Sequence, residues 1–186
     1  TLAVTSIVMI VVGALGWTGT RSSNAALDAI FSNRFMPTGW VGTIESHSRE
    51  VLEKAEDIVI RQDTSAVKGG MDLLNERKGE VKELSAKLQA TELTEKERAI
   101  VDEFNRYEDE VLVAVNEALL AAQAGTFDKA ESALIDRARP SYQKLTGAGD
   151  DLLSMQIEVA QEMRTSAETT FKRNSALILG AIIIGI

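Results

Sequence analysis

The chain has 186 residues, 45% hydrophobic and 26% charged, which is enough for one domain with its own core. With 28 acidic against 20 basic side chains, its net charge of −8 excludes a basic face for nucleic acid and a polybasic membrane-surface role. It contains no cysteine, so disulfides and thiolate metal sites are ruled out, and only two prolines, Pro37 and Pro140, so long helices are possible.

The first segment, Leu2–Trp17, carries no charge (LAVTSIVMIVVGALGW), and the last, Ala176–Ile186, is again apolar (ALILGAIIIGI). A core helix would mix apolar and charged residues at a period near 3.6. These runs instead read as parts of two bilayer spans, each of which needs about 20 apolar residues. A cleaved secretory leader is the alternative reading of the first run, and the second run at the other end disfavours it. The expected division is a truncated transmembrane helix at 1–19, a polar extracytoplasmic domain at 20–174 and a second truncated transmembrane helix at 175–186, the whole being an excerpt of a longer protein. Arg21, Lys172 and Arg173 on the inner flanks run mildly against that orientation. Gly13, Gly16 and Gly19 do not form a GxxxG step.

The polar middle is rich in Ala, Leu, Glu and Lys, with no sustained period-2 alternation, so it reads as all-helical. The first helix is expected to continue from the membrane segment to about Asp63, interrupted near Pro37, Gly39 and Gly42, with Ile44, Val51, Ala55, Ile58 and Gln62 on one face. The second runs from about Ala66 to Leu88, with Val67, Met71, Leu74, Val81, Ser85 and Leu88 at steps of three and four. Thr94-Glu95-Lys96-Glu97 is a capping box that opens the third. Its stripe is Ile100, Phe104, Tyr107, Val111, Val115, Ala118 and Ala122, and Gly125 closes it.

A short helix near Phe127–Arg137 follows, and Pro140 is expected to open the fourth helix at a first-turn position. Tyr142, Leu145, Gly149, Leu152, Gln156, Val159, Met163 and Ser166 then lead toward the second apolar run. The fold class is therefore all-α: an antiparallel up-down-up-down four-helix bundle, with helices one and four continuing into transmembrane helices. The turns near Thr64 and Gly125–Pro140 would lie far from the bilayer and the loop near Thr91 closer to it.

Four pieces of sequence carry a family likeness. They are Gly16-Trp17 followed by Ser23-Asn24-Ala25-Ala26-Leu27; Asn33-Arg34-Phe35-Met36-Pro37; Ala124-Gly125-Thr126-Phe127-Asp128-Lys129-Ala130 with Arg139-Pro140-Ser141-Tyr142; and Leu152-Leu153-Ser154-Met155-Gln156. In their order and spacing the chain resembles the periplasmic four-helix-bundle domain of bacterial methyl-accepting chemotaxis proteins. The resemblance implies a homodimer in the inner membrane, a periplasmic ligand site, and a small shift of one helix on binding. It also implies control of a cytoplasmic chemotaxis kinase and its adaptor through parts outside this chain. The same bundle fronts some sensor histidine kinases and diguanylate cyclases, which leaves the output open.

Polar groups on the helix stripes are the candidate ligand contacts. Arg61, Arg77, Tyr107, Arg137, Arg139 and Tyr142 are expected to hold a small anionic ligand, an organic acid or amino acid, with Arg106 and Lys78 as neighbours. The planar arginine fork meets a carboxylate with two hydrogen bonds. One charge-assisted bond contributes about 1.5–3 kcal/mol, and micromolar affinity needs about 8 kcal/mol, so two forks would suffice and one exposed arginine would not. Arg61, Arg139 and Tyr142 fit a distal site best, while Arg106 and Tyr107 lie about 25 Å from the distal end of their helix. The competing expectation is that these cations pair with acidic residues, leaving a structural or docking bundle with no pocket.

Metal and catalytic chemistry are not expected. His47, the one histidine, with Glu50 makes a poor metal site, and no cofactor is implied. No pairing suggests a nucleophile with its base, and Asp150-Asp151 reads as a solvated face, so an enzyme is not expected.

Overall fold

The computed structural model describes residues 2–185; the side chains of residues 2–5, 7, 8, 11, 15, 23, 26, 29, 30, 33, 34 and 181–185 lie outside that description. The elements are α1 (Leu2–Ile30), a π-helical turn (Phe31–Phe35), α2 (Met36–Arg61), a 3-10 turn (Thr64–Ala66), α3 (Val67–Gln89), α4 (Glu95–Gln123), α5 (Phe127–Ala133), a second π turn (Leu134–Ala138) and α6 (Arg139–Gly185). No strand occurs among the described residues. The expected all-α four-helix bundle is the observed fold, formed by α2, α3, α4 and the first part of α6.

The turns follow from local chemistry. Thr94 Oγ1 accepts from the Glu97 amide at 3.2 Å, and Glu97 Oε2 accepts from the Thr94 amide at 2.7 Å, so two free donors at the start of α4 are satisfied at once. At the end of α4, Gly125 has φ +72°. Its amide donates to the Ala122 carbonyl at 3.0 Å, and the Thr126 amide donates to that of Ala121 at 2.9 Å. This is a Schellman closure, and glycine adopts it without a Cβ clash. α2 ends with the same pair of bonds, Gln62 to Val59 and Asp63 to Ile58, both 3.1 Å, but the left-handed position there is Gln62 at φ +52°. Asp63 then caps the next turn, its Oδ1 accepting from the Ser65 and Ala66 amides.

Pro140 corrects one expectation, and Pro37 gives the expected interruption its form. Pro140 does not open a helix from a loop: helical structure runs on from α5 through the π turn Leu134–Ala138 into α6. Pro37 likewise follows a π turn, Phe31–Phe35, and each turn ends two residues before its proline. Proline has no N–H to offer the carbonyl four residues back, and that residue (Asn33 or Asp136) lies inside the π turn in both cases. The wider winding absorbs the missing bond, at Pro140 in place of the expected loop.

Met36–Gln156 form one compact unit. Its core is two clusters. The distal one, at the end carrying the turns at Gln62 and Gly125, includes Val51, Ile58, Val67, Leu74, Val115, Leu119 and Leu134. The other includes Val41, Ile44, Val81, Leu88, Phe104, Leu145 and Leu152.

The second unit holds the residues up to Phe35 and those from Ile157 onward. Within it, Thr18 and Thr20 donate back to the Ala14 and Gly16 carbonyls, and Phe31 stacks on Phe35 with ring centroids 5.6 Å apart. Large apolar side chains there stand exposed, among them Met9, Ile10, Trp17, Leu27, Leu177 and Leu179. Among the described residues, no helix is long and apolar enough to cross a membrane. The spans expected at 1–19 and 175–186 fall in part on residues outside the description.

Candidate functional site

Each candidate arginine meets an acidic partner. Arg61, 71% exposed at the end of α2, donates to Asp57 one turn back at 2.6 Å. Arg77 of α3 is the least exposed of them. Its Nε donates to Glu50 of α2 at 2.7 Å and its Nη1 to Glu80 at 2.7 Å, and both carboxylates hold its pKa above the ordinary arginine range. His47 Nε2 lies 3.1 Å from Glu80, so the one histidine joins this charge cluster between α2 and α3. Arg137 donates to Glu117 of α4. Arg139 donates to Glu56 of α2 at 2.6 Å, a pairing that likewise raises its pKa. Arg106 donates to Glu110 at 2.8 Å, and its guanidinium carbon sits 4.1 Å from the Tyr107 ring centroid, with Lys144 Nζ 5.6 Å from the same ring.

Tyr142 is half-buried and packs against both core clusters. Burial pushes its phenol pKa up, while the hydrogen bond and charge of Arg49 pull it down. Tyr107 is half-buried too, not fully enclosed as its place on the stripe suggests.

The six candidates do not converge. Arg137 lines an open groove along α4, about 470 Å³, together with Arg106, Asn105, Asp109 and Glu110. Arg139 lines a separate distal cavity of about 350 Å³ with Glu56, Phe127, Asp128, Glu131 and Leu134. Arg77 and Tyr142 lie at mid-bundle, and Arg61 stands on the distal surface.

The distal cavity is the best-formed candidate for a small molecule. Val59, Phe127 and Leu134 supply apolar wall, and the π turn before Pro140 puts Leu134 and Ile135 into the lining one turn ahead of Arg139. Its charged groups are three acids, Glu56, Asp128 and Glu131, and one cation, Arg139. That balance disfavours a purely anionic occupant. It suits a molecule presenting a carboxylate to Arg139 and an ammonium to the acids. Sequence reasoning named Arg139 but missed this acidic rim, because Glu56 comes from a distant stretch of chain. Among the described residues, no group of three or more His, Cys, Asp or Glu is arranged to hold a metal ion.

An antiparallel bundle laced by cross-helix charge pairs, with a cavity at one end, places the chain in the class of antiparallel four-helix bundles. Residues 1–171 match the family described as a four helix bundle sensory module for signal transduction, the sensory module of methyl-accepting chemotaxis proteins. The chain belongs to that family. No curated protein and no solved structure gives a significant match.

Proposed function

We propose that the chain is the sensory region of a transmembrane chemoreceptor that binds a small amino-acid-like ligand, carrying both a carboxylate and an ammonium group, in the distal cavity. The observation that carries this reading is the joint presence of Arg139 and the acids Glu56, Asp128 and Glu131 around an apolar pocket of about 350 Å³. The bundle lies in the periplasm of the inner membrane as a homodimer, and the flanking segments cross the bilayer. The exposed Met9, Ile10, Trp17, Leu177 and Leu179 support that placement, since such a surface needs an apolar surrounding. Ligand contacts that bridge α2 and α6 shift the balance between two packings by the difference in affinity for them, and a cytoplasmic kinase-control module reads the change.

Calorimetry on the chain with zwitterionic amino acids, dicarboxylates and primary amines tests this. Binding confined to the zwitterions is expected. Arg139→Ala weakens it roughly 10- to 100-fold while helicity is kept. A blank across all three classes, with the bundle folded, overturns direct sensing. It would favour a docking bundle, a reading supported by the fact that each candidate arginine already has a carboxylate partner.

A further inference from the structure

The two core clusters are separated by one polar level, and every helix of the bundle contributes to it. Counting along the seams, α2 places Ser48 between Ile44 and Val51, and α3 places Arg77 and Lys78 between Leu74 and Val81. α4 places Glu108 between Phe104 and Val111, and α6 places Ser141 and Tyr142 between the buried Ala138 and Leu145. Contacts close the ring. Arg77 pairs with Glu50, Lys78 acts electrostatically on Glu108, Ser141 Oγ donates to Glu110 at 3.0 Å, and the charge of Arg49 acts on Tyr142.

Two of these groups carry a buried polar atom without a hydrogen-bond partner. Ser48 is fully enclosed and its hydroxyl bonds to nothing among the described residues. Glu108 is 5% exposed, and its Oε1 also has no partner. An ionised carboxylate in that setting is costly, whereas the neutral acid gains an O–H donor and loses its charge.

We propose that this mid-bundle layer is a proton-binding site, with Glu108 the group that takes up the proton, so that the packing of the bundle responds to pH. The inference is independent of any occupant of the distal cavity. Burial pushes the Glu108 carboxyl up to about 7, Asp109 on its own helix adds to the rise, and Lys78 of α3 opposes it. α2 and α6 present the neutral Ser48, Ser141 and Tyr142 at this level. The remaining charged groups lie outward: His47, Glu50, Arg77 and Glu80 between α2 and α3, Arg49 at Tyr142, Glu110 at Ser141, and Lys144 over the Tyr107 ring.

Because the folded-state value lies above the ordinary 4.5, the neutral form supports the fold in full below about 4.5. That support is lost as pH rises toward about 7, and the profile levels off above it. Each pH unit inside the window changes the folding equilibrium constant by up to about tenfold, roughly 300-fold in all and roughly 100-fold between pH 5 and 8. Above neutrality the buried charge draws water into the layer and loosens the join between the clusters.

The test uses the full 186-residue chain in detergent micelles, as wild type and as Glu108→Gln. Urea unfolding and amide exchange of residues 104–111 are compared between the two proteins at the same pH, from 5 to 8. The wild type should lose roughly 100-fold in folding equilibrium constant relative to the variant, with faster exchange at pH 8. Lys78→Met should move the midpoint upward. Parallel profiles for wild type and Glu108→Gln overturn the proposal. So does a profile flattened by His47→Gln instead, since histidine is the side chain that ordinarily titrates in this range. If Glu108→Gln does not fold, the 13C shift of the wild-type Glu108 carboxyl decides. A midpoint near 7 supports the site, and one near 4.5 removes it.

Discussion

Gln62 sits in the left-handed region at φ +52° and closes α2 with the pair of bonds that Gly125 makes for α4. A side chain at that φ costs about 1–2 kcal/mol, part of which glycine would give back through its greater freedom in the unfolded chain. Gln62→Gly should therefore stabilise the protein by about 0.5–1 kcal/mol, measured as a higher urea midpoint at unchanged m-value. The glycine at 125 announces its turn in the sequence; the glutamine at 62 does not, because its conformation is imposed by the bonds to Ile58 and Val59. The same asymmetry runs through the candidate site. Arg77 and Arg139 are visible as cations near the helix seams, yet Glu50 and Glu56 become their partners only once α2 packs beside them. Glu108 is legible in the sequence, since steps of four and three from Phe104 reach it and then Val111. The neighbouring Tyr107, at an equally regular step from Phe104, masks it.

Helix starts were more legible than helix continuity. The Thr94–Glu97 capping box is a local code, needing only four residues, and both of its bonds form. Thr94→Ala removes the acceptor for the Glu97 amide and should cost about 1 kcal/mol, seen as a lower thermal midpoint with α4 frayed at its first turn by amide exchange. Glu97 itself is fully enclosed, so its replacement would disturb packing as well as the cap, which makes Thr94 the cleaner probe. Pro140 is ambiguous in the sequence because the signal for "no N–H here" is the same for a loop, a helix start and a π turn. What selects the π turn at Leu134–Ala138 is burial of Leu134 and Ala138 in the distal cluster, which a loop would forgo.

At the scale of the whole bundle, the architecture was readable because four amphipathic stretches joined by short connections have few ways to hide their apolar faces. The division of the core was not, since it appears only when the registers of four separate helices are aligned at Ser48, Lys78, Glu108 and Ser141. That division carries a prediction of its own. Phe104 and Leu119 are both fully buried on α4, one in each cluster, about 22 Å apart along the helix. Phe104→Ala should cost about 3–5 kcal/mol and Leu119→Ala about 2–5 kcal/mol through lost contacts and the cavities left behind. With the polar level and this distance between them, the double variant should equal the sum of the singles to within about 0.5 kcal/mol in urea unfolding at pH 5. A coupling above about 1 kcal/mol would mean that the polar level transmits strain along the bundle, and the two clusters would then have to be treated as one cooperative core.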